Sequence, residues 1–230
     1  MKTIGMLGGM SWESSSVYYQ LVNREVQKRV GGVASAKTLM YSFDFGEIAP
    51  LQNAGEWAAA NARMVAGVKA LERGGADFLI MCCNTMHCAT PDIEAATKLP
   101  FLHIADPLGA AIKQADMCRV GLLGSAYTMT QEGIIIGRLK RYGIETIVPD
   151  GKDAAETSRV IYDELIRGRF LESSRANYRE IMARLIERGA EGIVMGCTEI
   201  PLLLKPEDSA VPLFDTTTLH AMAAVDRALA

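Results

Sequence analysis

Two stretches decide the fold: GGADFLIMCCNTMH at residues 74–87 and RGAEGIVMGCTEIP at residues 188–201. Each begins at a glycine turn, runs through apolar residues of strand type and reaches a cysteine, Cys83 or Cys197. Asn-Thr follows the first cysteine and Thr-Glu the second, and such residues commonly open a helix. Each cysteine is therefore expected on a strand-to-helix turn, where backbone N–H groups and the positive end of a helix dipole favour the thiolate.

The likeness extends in both directions. Ile4-Gly5-Met6-Leu7-Gly8 is echoed by Val120-Gly121-Leu122-Leu123-Gly124, an apolar strand running into a glycine turn. Leu71, Gly75, Ala76, Ile80, Met81 and Cys83 recur as Leu185, Gly189, Ala190, Val194, Met195 and Cys197. Leu99-Pro100-Phe101-Leu102 recurs as Val211-Pro212-Leu213-Phe214. Three echoes in the same order argue for an internal duplication, and its period is that of a half-protein, far longer than a solenoid repeat.

Within each half, short apolar strands alternate with longer helical patterns, as at residues 56–73 and 177–188. This alternation predicts parallel βαβ units and an α/β fold. The expected halves are residues 1–100 with 210–230, carrying Cys83, and residues 101–209, carrying Cys197. The helical pattern from Thr218 to Leu229 is expected to pack back on the first half. Ligands of open parallel sheets bind beyond the carboxyl ends of the strands, which is where both cysteines and both glycine turns fall.

Composition narrows the partners. The chain has 230 residues, 49% of them hydrophobic, which suffices for one large core or two small ones. A net charge of −3, with no cluster of basic residues interleaved with aromatics, argues against nucleic acid and for a small-molecule substrate. The N-terminus lacks a signal-peptide pattern, and no apolar run is long enough to span a membrane. The five cysteines, an odd number with two adjacent, read as reduced thiols of a cytoplasmic protein.

A lone cysteine at a strand end is commonly a small buried hydrophobe. Two at duplicated positions instead suggest a symmetric device, and equal acid–base groups on opposite faces of one carbon are what stereochemical inversion requires. Cys82, Cys88 and Cys118 have no counterparts and read as packing residues. The turns MLGGMS and LLGSAYT match neither a dinucleotide fingerprint nor a P-loop. Their N–H groups suit a small carboxylate, with Met10, Ser11, Ser125 and Thr128 as lining. Cys82, Cys83, His87 and Cys88 lie close together, but the second half offers only Cys197, so no metal is expected. No Schiff-base lysine within a phosphate site is visible, and no cofactor is expected. His87, His103 and His220 read as hydrogen-bonded structural residues, with His87 within reach of Cys83.

The Gly8-Gly9-Met10 turn, Cys83-Asn84-Thr85, the LPFLHI run at 99–104, GLLG at 121–124 and GCTE at 196–199 together resemble, in order, the aspartate/glutamate racemase family. That family inverts amino-acid stereocentres without pyridoxal phosphate. The resemblance spans nearly the whole chain and implies two pseudo-symmetric Rossmann-like α/β domains with parallel sheets, an active site in the cleft between them and a homodimer. It makes Cys83 and Cys197 the two bases, with Asn84, Thr85, Thr198 and Glu199 beside them and Met10 and Gln52 as further substrate contacts. Two features depart from the aspartate-specific pattern. An arginine expected near Leu51 is absent, and only Arg167, before Gly168, is placed to meet a distal carboxylate. The implied activity is racemization of aspartate or glutamate, with a broader amino-acid range, a related isomerase or decarboxylase, or a non-catalytic amino-acid binder as alternatives.

Overall fold

The apolar runs form parallel strands throughout the computed structural model, which describes residues 1–130 and 134–230. The chain divides into two units, residues 1–104 with 220–230, and residues 105–219. Unit 1 contains β1 (Ile4–Gly8), α1 (Trp12–Val30), β2 (Thr38–Ser42), α2 (Phe45–Asn53), α3 (Trp57–Arg73) and β3 (Phe78–Met81), then a 3₁₀ turn at Thr85–Ala89 and α4 (Thr90–Ala96). Its sheet order is β2-β1-β3, all parallel, and a parallel bridge from Leu79 to Phe101 extends it.

Unit 2 contains α5 (Ala105–Gln114), β4 (Arg119–Gly124), α6 (Ala126–Thr130), α7 (Ile136–Lys140), β5 (Glu145–Ile147) and α8 (Gly151–Asp163). A 3₁₀ turn at Leu165–Arg167 follows, then α9 (Glu172–Glu187), β6 (Gly192–Gly196), α10 (Ile200–Leu203) and β7 (Leu213–Asp215). Its parallel sheet has the order β5-β4-β6-β7. The last helix, α11 (Thr216–Leu229), begins in unit 2 and belongs to unit 1 from His220 onward.

The duplication is visible bond by bond. Asp77 N–H donates to Thr3 C=O at 2.9 Å, as Glu191 N–H donates to Arg119 C=O at 2.9 Å. The same two acidic side chains accept from the partner strand's amides, Asp77 from Thr3 N–H at 2.6 Å and Glu191 from Arg119 N–H at 2.9 Å. Leu79 N–H donates to Pro100 C=O and Ile193 N–H to Pro212 C=O, both at 2.9 Å. Ahead of the two cysteine strands the chain leaves α3 and α9 by the same turn, with Ala76 N–H on Leu71 C=O and Ala190 N–H on Leu185 C=O. Gly75 and Gly189 take φ of 90° and 96° there, a left-handed conformation that a side chain would strain.

Strand periodicity sorts the side chains of unit 1 onto two faces of its sheet. Ile4, Met6, Phe78, Ile80 and Cys82 pack with Tyr18 and Val22 of α1 and with Ala221, Ala224 and Val225 of α11. Leu7, Leu79, Met81 and Cys83 pack with Ile48 of α2 and with Met64 and Val68 of α3. Burial on both faces explains why β3 and β6 read as unbroken apolar runs. Each large side chain buried this way contributes roughly 1.5–3 kcal/mol. In unit 2, Ile193, Met195 and Cys197 share one core with Leu123, Tyr178 and Leu185.

Three expectations change. Residues 210–219 lie in unit 2 rather than with the first half, because Leu213 and Phe214 pair with Ile193 and Val194 as the outer strand of that sheet, and residues 101–104 lie in unit 1 rather than the second half, because Phe101 and Leu102 pair with Leu79. Cys118 is exposed ahead of β4 and is not a packing residue. The helical pattern over 177–188 begins earlier, as α9 opens at Glu172.

Candidate active site

Cys83 lies two residues beyond the last residue of β3, and Cys197 directly follows β6. No long helix follows either one. Cys83 leads into the 3₁₀ turn Thr85–Ala89, and Cys197 leads, after Thr198 and Glu199, into the single turn of α10 with Pro201 at its start. The helix-dipole contribution expected for these thiols is correspondingly small, because aligned peptides must accumulate to produce it. Local side chains and backbone groups decide the environment instead.

Cys83 is 8% exposed and packs with Met10, Ile48 and Met86, with Leu51 partly buried against the same cluster. Gln52 is buried on α2 and donates from Nε2 to Met86 Sδ at 3.1 Å, so it joins this neighbourhood through the methionine. Asn84 is buried and Thr85 opens the 3₁₀ turn. The structure thus brings Met10, Gln52, Cys83, Asn84 and Thr85 together in unit 1.

In unit 2, Cys197 is partly buried, and its Sγ donates to Glu199 Oε2 at 3.1 Å. The Thr198 hydroxyl donates to the same oxygen at 2.6 Å, and both Thr198 and Glu199 are buried. Gly124 pairs with Gly196, so Ser125 and Cys197 each stand one residue beyond facing strand ends. Ser125 Oγ and Thr128 Oγ1 are 3.1 Å apart, and Thr128 N–H donates to Ser125 Oγ at 3.3 Å. Arg167 lies on the 3₁₀ turn Leu165–Arg167. Its side chain is 64% exposed and lies 3.9 Å from Asp163. The turn that carries it is anchored by buried Glu164, whose carboxylate accepts from Arg159 at 2.9 Å and from the Ser174 hydroxyl at 2.5 Å.

The hydroxyl pair has a counterpart in unit 1. Ser11 caps α1, with Ser14 N–H donating to Ser11 Oγ and the two hydroxyl oxygens 3.4 Å apart. Ser11 and Ser14 are therefore the equivalents of Ser125 and Thr128, and the first loop is two residues longer than the second. Gly9 and Met10 account for the difference. Ser14 was detectable in the sequence as the third residue after a cap serine, a spacing shared with Ser125 and Thr128.

Two of the other thiols, Cys82 and Cys88, are tuned away from reactivity. Burial, and secondarily the neighbouring Cys83, push the Cys82 thiol well above its ordinary range. Burial raises Cys88 to about 11. Cys82 and Cys83 belong to different cores because alternate strand positions face opposite sides of the sheet. Tyr178, within the Cys197 core, is held well above the ordinary phenol range by burial first and by Cys197 next, and its hydroxyl donates to Thr157 C=O at 3.0 Å.

His87 holds the backbone of Cys83. Its Nδ1 lies 2.8 Å from Cys83 C=O, and its Nε2 accepts from Ile104 N–H at 3.2 Å. An acceptor at Nε2 places the proton on Nδ1, so the ring is a neutral donor to the cysteine carbonyl. Burial, then His103 and His220, keeps its pKa well below the usual 6.5. Among the described residues no group of three or more His, Cys, Asp or Glu side chains converges to hold a metal ion. No described helix is long and apolar enough to cross a membrane.

The chain is similar to several known proteins. A Yersinia pestis protein of Asp/Glu racemase type is 46% identical, with a TM-score of 0.93 and full coverage of both chains. An aspartate racemase homologue from Pyrococcus horikoshii is 30% identical, again over the whole of both chains, with a TM-score of 0.86. The broad specificity amino-acid racemase RacX of Bacillus subtilis is 26% identical over 99% of this chain and 98% of its own length. The model of the Asp/Glu/Hydantoin racemase family matches residues 7–224, and the chain belongs to that family of isomerases.

Proposed function

We propose that the protein interconverts L- and D-aspartate or glutamate by a two-base mechanism without a cofactor, with Cys83 and Cys197 as the bases. The observation that carries this reading is the placement of the two cysteines beyond equivalent strands in frameworks that repeat bond for bond. One cysteine, as thiolate, takes the α-proton. The other, as thiol, delivers a proton to the opposite face of the planar carbanion, and the roles exchange in the reverse direction.

Glu199 gives Cys197 a proton acceptor 3.1 Å away, so that thiol can both hold a proton and release it. Negative charge growing on the substrate carboxylate in the transition state needs preorganised donors, for which Asn84, Thr85, Thr198 and the Ser125–Thr128 pair are the candidates. Met10 and Gln52 would shape the wall beside Cys83. Arg167 is the candidate for a distal carboxylate. The apolar setting of Leu51, packed against the cluster that holds Cys83 and Met86, favours a second reading with a broader amino-acid range, and RacX is named a broad specificity amino-acid racemase.

The five free cysteines suit a reducing cytoplasm. The implied homodimer has a suitable apolar surface in Trp12, Tyr19 and Met40, which are exposed on unit 1.

The test is a chirality assay across a panel of L-amino acids with no added cofactor, repeated for Cys83→Ser and Cys197→Ser in deuterated water. Racemization of aspartate or glutamate with α-deuterium incorporation, lost in both variants, is the expected result. Full racemization surviving either substitution overturns the two-thiol mechanism.

A further inference from the structure

All three histidines of the chain gather in unit 1. The His87 ring lies 4.6 Å from that of His103 and 5.8 Å from that of His220, measured between centroids, with Phe101 tilted against it at 5.4 Å. His220 is itself fixed by the Tyr18 hydroxyl on Nδ1 and Leu102 C=O near Nε2, each at 2.9 Å. The Thr90 hydroxyl donates to His87 C=O at 2.6 Å, and His87 N–H donates to Asn84 C=O at 3.1 Å. His87 is thus held by its backbone, by both ring nitrogens and by its ring faces.

The consequence falls on Cys83. Its carbonyl is tied through one imidazole to Ile104 N–H, at the end of the segment that extends the β3 edge. In unit 2 the corresponding position carries no imidazole. The position equivalent to His87 is Pro201, and Cys197 C=O instead accepts Ile200 N–H at 3.2 Å. The two cysteine carbonyls are therefore met differently, Cys83 C=O by the His87 imidazole and Cys197 C=O by Ile200 N–H.

We propose that His87 is a positioning residue for Cys83: as the neutral Nδ1–H tautomer it bridges Cys83 C=O and Ile104 N–H and thereby sets where the Cys83 thiol stands. The inference that this serves catalysis rests on the proposed racemase reaction; the positional effect itself does not. Asparagine offers a test of the bridge, because its amide nitrogen can occupy the Nδ1 position while nothing replaces Nε2.

The experiment measures iodoacetamide alkylation of Cys83 and Cys197 separately, by peptide mapping at pH 7.5, in the wild type, His87→Ala and His87→Asn. Loss of one buried hydrogen bond of ordinary net worth corresponds to a change of about fivefold or more. Cys83 in His87→Ala is expected to react at least about fivefold faster, with Cys197 unchanged within about twofold and His87→Asn between His87→Ala and wild type, because it keeps only the bond to Cys83 C=O. An unchanged or slower Cys83, or equal acceleration of both thiols, overturns the proposal. Should His87→Ala not fold, ¹⁵N NMR of the wild-type imidazole decides: a ring protonated on Nε2, or a cation at pH 7.5, overturns it.

Racemization provides the separate second readout. His87→Ala should lower kcat on the order of tenfold or more with KM within about twofold, and His87→Asn should restore only part of it, because a displaced catalytic group costs rate more than binding. Altered Cys83 alkylation in a protein with no racemase activity would refute the racemase reading and leave the bridge intact. Altered alkylation with wild-type kcat would confine His87 to a structural role and overturn its positioning role.

Discussion

Cys197 Sγ lies 3.1 Å from Glu199 Oε2, and that oxygen also accepts the Thr198 hydroxyl at 2.6 Å. A carboxylate so close favours the thiol over the thiolate, since two negative charges at that distance repel. The same contact gives the thiol proton somewhere to go. Nothing equivalent follows Cys83, where Asn84 and Thr85 replace Thr198 and Glu199.

Glu199→Gln should therefore separate reactivity from turnover. Without the negative charge, Cys197 is expected to alkylate faster at neutral pH. Racemization should nevertheless fall about 10²-fold, the lower end of what a lost acid–base partner costs. Glu199→Asp, which keeps the charge and shortens the reach, should fall less. Peptide-mapped alkylation beside a chirality assay reads both. Slower alkylation of Cys197 in Glu199→Gln would contradict the repulsion argument.

The five cysteines should also sort by environment. Cys118 is exposed, whereas burial holds Cys88 at about 11 and Cys82 higher than its ordinary range. At pH 8 the thiolate fraction of Cys88 is about 100-fold below that of an ordinary exposed cysteine. Native-state alkylation at pH 8 should label Cys118 readily, Cys88 about 100-fold more slowly and Cys82 only after unfolding. Labelling of Cys82 at the Cys118 rate would show that the β3 end opens in the native state.

Much of this organisation was legible in one dimension, for identifiable reasons. The strands at Ile4–Gly8 and Phe78–Met81 are covered on both faces, so they announce themselves as unbroken apolar runs. The duplication was legible because the same turn, the same strand and the same cysteine recur in order. Other features depend on where the chain returns in space. The strand at Leu213–Asp215 has the same pattern whichever half it joins, and only its pairing with β6 assigns it. The short turns after the cysteines were hidden because Asn-Thr and Thr-Glu open long and short helices alike. His87 shows a spacing of four from Cys83, but its role depends on Ile104 N–H arriving at Nε2, a contact that no local pattern announces.

Gly9 offers a direct test of the longer first loop. It takes φ of 89°, and a Cβ built on it would lie 2.2 Å from Phe43 C=O, a backbone atom that cannot swing aside. Gly9→Ala combines a strained φ with a steric overlap and should cost about 3 kcal/mol or more. In a chain of this size the melting temperature should fall on the order of 10 °C. Because Met10 follows directly and belongs to the same buried cluster as Cys83, racemization should drop beyond the loss of folded protein. Calorimetry with an activity assay below the transition measures both, and an unshifted melting temperature would refute the overlap.

The His87 bridge also carries a pH dependence whose sign follows from its protonation. Burial, with His103 and His220 nearby, depresses the pKa of the folded-state imidazole well below 6.5, while the unfolded chain keeps a value near 6.5. Above pH 6.5 the ring is neutral in both states and the linkage contributes nothing to the pH slope. As the pH falls from 6.5 towards the folded-state value, the unfolded chain takes up a proton that the native ring refuses, and stability declines. Protonating the native ring would put an N–H against Ile104 N–H, which is the physical reason for the refusal. Urea unfolding of the wild type and His87→Asn between pH 7.5 and 5 should show a loss of stability below pH 6.5 that is shallower in the variant. Identical slopes in the two proteins would mean that His87 binds its proton equally well folded and unfolded, and would remove the buried neutral tautomer from the account of Cys83.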